Sequence, residues 1–420
     1  MGQTITEKIL SRVLGRAATP GEIVYPEGDW VTVHDWYIVN FDRALQDLGI
    51  DRVHDPEHMI MSTCHEPVAV SPQAALRQKQ ARAIAKKYGI RHHFDTSEPG
   101  HGHILPVEKG FIKPGGFVLA YDPHVTNFGA VGCLAFAMAF EISEVIALGN
   151  CWCRVPETVR VNLTGSLPDG IAIRDIAQRL IGDLDPDIID YSVVEYGGPA
   201  LADLSIDQRM ILCNTPLEIG AKSSVVETDA VTFDYLRDRV EGPLNEMRSD
   251  DDAKFLASYD IDLGLLEPQV AAPPTPDNVV GVSAVAGTPI DHASIGSCAG
   301  GTLTDLRDAA RLLKGRRISD HVRLFITPGT LEIAARASAE GLTEIFLNSG
   351  AMVTAPGCGT CAAGRIGPTA DGEVSINTGT RNDYGRLGSE TADIYLASSL
   401  TVAASAIAGK IVDPRELLQS

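Results

Sequence analysis

Apolar residues recur at helical spacing between Ile5 and Leu14, which predicts a short amphipathic helix there, broken by Pro20-Gly21. Trp30-Val31-Thr32-Val33-His34-Asp35 reads instead as a strand that delivers a polar pair at its end. Ser71-Pro72-Gln73 opens a second helix. Ser71 is its N-cap, Pro72 sits in the first turn, apolar spacing runs through Ala81 and Ile84, and Gly89 stops it. Gly115-Gly116-Phe117-Val118-Leu119-Ala120-Tyr121-Asp122 reads as a buried strand ending on Asp122 and His124. Polar residues at strand ends are where open α/β sheets build sites. The small-residue run Gly129 to Phe140 predicts a tight helix, and Glu144 to Gly149 a further strand.

From about Arg160 to Leu180 the pattern changes to strand, turn and helix, which suggests a new domain. Four prolines between Glu267 and Pro276 predict a linker. Beyond it strand and helix alternate: a strand into Cys298, a helix to Lys314, a strand Val322 to Ile326, a helix Leu331 to Glu340, a strand Glu344 to Leu347. The expectation is α/β class with three α/β domains, 1–158, 159–266 and 267–420.

The length, 420 residues, suits two or three cores, and 44% hydrophobic with 21% charged residues is ordinary for a globular protein. A net charge of −20 argues against binding a phosphate backbone but not against a small anion in a locally basic cleft. The N-terminus does not read as a signal peptide, and the longest apolar run, Val131 to Phe140, is too short to span a bilayer. No nucleic acid, no membrane and a cytoplasmic location are expected.

Eight cysteines are present. Cys133 and Cys213 lie in apolar stretches and read as core residues, and Cys151 and Cys153 flank Trp152 on one face of a strand. Cys298, in Ile-Gly-Ser-Cys-Ala-Gly-Gly, and Cys358 and Cys361, in Gly-Cys-Gly-Thr-Cys-Ala, sit in glycine-rich segments. Three thiolates from such loops can hold a soft metal centre with one position open. Cys358-x-x-Cys361 alone also fits half of a zinc knuckle or a redox pair. Arg381 and Arg386 follow soon after, and paired guanidinium groups suit an acidic substrate.

Further wording narrows these readings. Ile295-Gly296-Ser297-Cys298, Asp305-Leu306-Arg307, Leu313-Lys314-Gly315, Pro328-Gly329-Thr330 and Gly357-Cys358-x-x-Cys361 together resemble the aconitase superfamily. Within it they are most similar to the large subunits of 3-isopropylmalate dehydratase and homoaconitase. Val107-Glu108-Lys109-Gly110, Val155-Pro156-Glu157-Thr158, Glu218-x-Gly220-Ala221 and Tyr395-Leu396-Ala397-Ser398 extend the likeness over almost the whole chain.

The resemblance implies three α/β domains around a central iron–sulfur cleft. It implies a [4Fe–4S] cluster ligated by Cys298, Cys358 and Cys361, with one iron open to act as a Lewis acid. It also implies catalytic roles for His65, His103, Asp122, His124 and Glu218, with His103 paired to Asp122 and His124 to Glu218, and substrate clamps at Arg381 and Arg386. The activity implied is a hydro-lyase or isomerase that dehydrates and hydrates anionic 2-hydroxy di- or tricarboxylates. The chain ends where aconitase continues into a swivelling fourth domain. The resemblance therefore implies a separate small subunit carrying the serine base. The alternatives are a dehydratase or hydratase of a smaller diacid, such as a methylated malate or maleate, a non-catalytic regulator, and a zinc-stabilised scaffold.

Four motifs depart from the family pattern. Cys64-His65-Glu66-Pro67 stands in place of Asp-His-x-x-Pro, one residue short before the proline. Pro123 replaces the serine of Asp-Ser-His, Ala299-Gly300 replaces Thr-Asn, and Thr380 replaces an asparagine. A thiol does not attract a proton to imidazole as a carboxylate does, so the imidazolium of His65 is expected to be disfavoured. His34, His54, His58, His92 and His93 read as solvated or structural, although His34-Asp35 occupies a site-proximal position of the family.

Overall fold

The strand Trp30–His34 is the middle of a five-stranded parallel sheet. The computed structural model describes residues 2–418 apart from 265–266 and 362–363. On one side of Trp30–His34 lie Met59–Ser62 and then His92–Phe94; on the other lie Phe117–Ala120 and then Leu134–Ala137. The chain thus works outward in one direction, returns, and leaves in the other. The switch point falls between Trp30–His34 and Phe117–Ala120, whose carboxyl ends deliver His34-Asp35 and Asp122 to His124.

A second sheet orders Ser223–Val226, Val193–Gly197 and Thr158–Thr164, with Ala257–Asp262 at its edge. The third has seven strands: Val279–Gly281, Gln269–Ala271, Asp393–Leu396, Val374–Asn377, His292–Ile295, Arg323–Ile326 and Met352–Val353. The last five run parallel; the first two form an antiparallel margin. Here the switch point lies between His292–Ile295 and Val374–Asn377, which lead into Cys298 and Arg381 respectively. The α/β class expected from the sequence is therefore found.

The chain packs as two compact units, Met1–Thr164 with Asp185–Ile261, and Gly165–Leu184 with Asp262–Ser420. Helix Ile173–Asp183 belongs to the second unit through buried polar contacts. Asp175 accepts the backbone N–H groups of Ala172 and Gln269, at 2.8 and 2.9 Å. Gln178 donates to the carbonyl of Leu396 at 2.7 Å, and Arg174 to that of Gly379 at 2.6 Å.

Helix Ile5–Leu14 has a capping box from Thr4 and Glu7, and helix Pro72–Tyr88 is capped by Ser71 and closed by Gly89, both at the expected places. Four local expectations fail. The segment expected as helix, Gly129 to Phe140, is the end of a 3-10 stretch followed by strand Leu134–Ala137. Leu134, Ala135 and Phe136 are fully buried, and a strand covered on both faces lacks the alternation that would mark it. Glu144 to Gly149 and Glu344 to Leu347, expected as strands, lie in helices Ile142–Leu148 and Leu342–Ser349. In the expected linker, the prolines flank strand Gln269–Ala271, which pairs antiparallel with Val279–Gly281. A margin of the sheet tolerates proline where its interior does not.

Candidate active site

In the first unit the site grows from the ends of adjacent strands. His34 closes its strand and Asp35 begins helix Asp35–Asp47. The neighbouring strand ends at Ser62 and leads into Cys64 and His65. Asp35 Oδ1 lies 2.8 Å from Nδ1 of His65, and Oδ2 accepts the backbone N–H groups of His65 and Glu66 at 3.1 and 2.9 Å. Trp36 stacks on the His65 ring with centroids 4.2 Å apart. Glu66 is clamped by Arg77 through two bonds of 2.7 and 2.6 Å.

Asp35 corrects the expectation for His65. The carboxylate missing at Cys64 comes from the first residue of helix Asp35–Asp47. Burial opposes charge on His65, but the Cys64 sulfur and the Asp35 carboxylate outweigh it, and the imidazole pKa rises well above its ordinary value.

His34 is not solvated. It is buried, with Nε2 3.0 Å from Nε2 of His103, and Nδ1 3.1 Å from Ser62 Oγ and 3.2 Å from Cys64 Sγ. Gly102 permits this: a side chain there would run into the His34 ring. His101, which the sequence reading passed over, lies beside it and accepts the backbone N–H of His103 at 3.2 Å. The spacing His101-Gly102-His103 was the available signal. Burial lowers the pKa of His101 to about 4 and that of His103 well below its ordinary value, so both rings are neutral at pH 7.

The other side of the switch point supplies Asp122 and His124. His103 Nε2 is 3.5 Å from Asp122 Oδ1, His124 Nδ1 is 3.3 Å from the same oxygen, and His124 Nε2 is 2.7 Å from Glu218 Oε1. Burial opposes charge on His124, but hydrogen bonds to both carboxylates raise its pKa to about 9. Pro123 occupies the first position of the 3-10 stretch Pro123–Val131, where no N–H is needed, and Asp122 caps it through the N–H of His124. The unit thus holds cationic His65 and His124 beside neutral His101 and His103.

The second unit holds the cysteines. Cys298 follows strand His292–Ile295 in a turn where Ser297 takes a φ of 75°. Gly296 donates its N–H to Thr378 Oγ1, which donates back to the Gly296 carbonyl, both at 2.9 Å. Ser297 Oγ donates to the Thr378 carbonyl at 3.2 Å. The loop bearing Cys298 is therefore tied to the loop bearing Arg381.

Cys358 and Cys361 lie beyond strand Met352–Val353. Thr360, between them, has its hydroxyl 2.7 Å from that of Ser294, four residues before Cys298. Gly359, at φ 63°, leaves no room for a side chain against Thr327. Arg386 Nη2 donates to Cys361 Sγ at 3.3 Å. Cys298 and Cys358 are buried and Cys361 half-buried, and all three are free thiols. Three cysteines on loops that follow strands of one sheet, linked through Ser294 and Thr360 and with Arg386 on one sulfur, fit a thiolate-ligated cluster. Arg381, half-buried, lies in the same loop as Arg386. Cys133, Cys151, Cys153 and Cys213 are buried.

Among the described residues no helix is long and apolar enough to cross a membrane. The model of the aconitase family (aconitate hydratase) matches residues 47–409. The chain is 39% identical over 419 residues to the 3-isopropylmalate dehydratase large subunit 1 of Methanopyrus kandleri, covering 100% of both. It is also 39% identical to a probable 3-isopropylmalate dehydratase large subunit of Methanothermobacter thermautotrophicus, over 99% of this chain and 100% of that one. The crystal structure of holo-form aconitase X from Thermococcus kodakaraensis shares the fold, with a TM-score of 0.51, 13% identity and 92% of each chain covered. By sequence match along nearly its full length, and by fold, this chain belongs to the aconitase family.

Proposed function

We propose that this chain is the large catalytic subunit of an iron–sulfur hydro-lyase of the 3-isopropylmalate dehydratase type. It acts on a 2-hydroxy di- or tricarboxylate together with a small subunit that carries the serine base. The observation that carries the reading is the Ser294–Thr360 hydroxyl contact of 2.7 Å, which holds the Cys298 segment to the Cys358-x-x-Cys361 turn. Family membership implies a [4Fe–4S] cluster, and Cys298, Cys358 and Cys361 are the residues that would hold it, leaving one iron without a thiolate. When bound, the cluster supplies a Lewis acid for the substrate hydroxyl and carboxylate.

The remaining work falls to the chain's own groups. Asp35 and Trp36 fix the His65 ring, which suits it to donate a proton to the departing hydroxyl. Neutral His103 and the Asp122–His124–Glu218 set form the further polar wall. Arg381 and Arg386 neutralise substrate carboxylates, whose charge otherwise resists forming a carbanion at the adjacent carbon. The relatives' names favour this reading over the smaller-diacid and regulatory alternatives.

Anaerobic reconstitution with iron, sulfide and the small chain tests the proposal. Reversible dehydration of a 2-hydroxy diacid, absent from the large chain alone, is expected. A loaded pair inert toward a panel of malate homologues would reject it.

A further inference from the structure

Cys64 is fully buried, and its sulfur sits between two imidazoles. Sγ is 3.2 Å from Nδ1 of His34 and 3.3 Å from Nδ1 of His65, and one ligand atom from each residue lies within 4.8 Å of the others. Asp35 Oδ1 is 2.8 Å from the same His65 nitrogen. Two imidazole nitrogens and a sulfur thus face one small volume, with the Asp35 carboxylate held on His65.

Tetrahedral zinc, with bonds of about 2.3 Å to sulfur and about 2.1 Å to nitrogen, spaces those two atoms about 3.6 Å apart. The two observed sulfur–nitrogen spacings need to open by only a few tenths of an ångström. The rings are already oriented. His65 is stacked on Trp36. His34 has its other nitrogen, Nε2, 3.0 Å from Nε2 of His103, so a metal on Nδ1 leaves Nε2–H to donate outward, the usual support of a ligating histidine. The Cys64 thiolate, with the Asp35 carboxylate on the neighbouring His65, also balances a divalent charge, which a buried site requires. The mixed sulfur and nitrogen donors select against magnesium and calcium, which take oxygen.

We propose that His34, Cys64 and His65 form a binding site for one thiophilic divalent cation of the zinc class, with water in the fourth position and no ligand shared with the cluster cysteines. Its consequence rests on the reading of His65 as the proton donor. An ion on Nδ1 displaces the Asp35 hydrogen bond that fixes the ring, so occupancy halts turnover reversibly.

X-ray absorption at the zinc edge, on the cluster-loaded enzyme supplied with zinc chloride, reads this site without interference from iron. We expect one zinc per chain with one sulfur and three nitrogen or oxygen neighbours. Cys64→Ser is expected to lose the sulfur neighbour and bind at least tenfold more weakly with iron content unchanged, and Cys64→Asp to retain an oxygen-ligated ion. No retained zinc, or a shell with three sulfurs, which marks occupation of the cluster cysteines, overturns the proposal. The wild-type spectrum decides even where a variant fails to fold. Zinc bound in the expected shell without loss of turnover supports the site and instead removes His65 from the chemistry.

Discussion

Asp35 Oδ1 lies 2.8 Å from Nδ1 of His65, although the two residues are thirty positions apart. The same carboxylate takes the backbone N–H groups of His65 and Glu66, so it fixes both the ring and the turn that carries it. Asp35→Asn keeps the shape and removes the charge. Turnover is expected to fall by roughly 10²–10⁴, the usual contribution of a positioned acid, with little change in KM. Steady-state kinetics on the loaded enzyme check it, and an unchanged kcat would detach Asp35 from the proton transfer.

His124 and Glu218 give a pH-dependent stability. The His124 pKa rises from 6.5 to about 9 on folding, so its contribution is complete below pH 6.5 and is lost as pH climbs through about 9. A shift of that size corresponds to on the order of 3 kcal/mol. Urea unfolding across this window should show stability falling with pH, and Glu218→Gln should flatten that slope. Equal slopes in both proteins would contradict the pairing.

The Thr360–Ser294 contact predicts a cluster phenotype. Thr360→Val breaks a buried hydrogen bond and leaves the Ser294 hydroxyl without it, at a cost of about 1–3 kcal/mol. Iron is expected to leave faster under air, seen as quicker bleaching in the visible. Bleaching at the wild-type rate would mean the stitch does not govern the cysteine loops.

Arg386 is tested by lysine. Arg386→Lys keeps the charge but removes the planar fork, and it also removes the 3.3 Å contact to Cys361. A rise in KM of at least tenfold is expected, because a bidentate carboxylate contact becomes a point charge. A mutant with wild-type KM would place Arg386 outside the substrate clamp.

What could be read in the sequence followed the strength of the local signal. The caps at Ser71 and Gly89 are short-range chemistry and were legible. Ile142–Leu148 and Leu342–Ser349 are short apolar helices, and too few turns are present for periodicity to separate them from buried strands. Cys64 was visible as a departure, but its compensation was not, because Asp35 reaches His65 only through strand pairing of His34 with Ser62. The choice for His34 between solvated and structural stayed open for the same reason: its partners Ser62, Cys64 and His103 come from other segments. The membership of residues 165–184 in the second unit rests on Asp175 with Gln269 and Gln178 with Leu396, pairings with no local trace.

That last feature bears on how the protein is made. Helix Ile173–Asp183 leaves the ribosome before residue 262, where the rest of its unit begins. Its buried face, with Arg174, Asp175 and Gln178, must wait in water while the first unit closes around the gap. Nascent chains stalled near residue 260 should therefore expose this helix to chaperones and proteases.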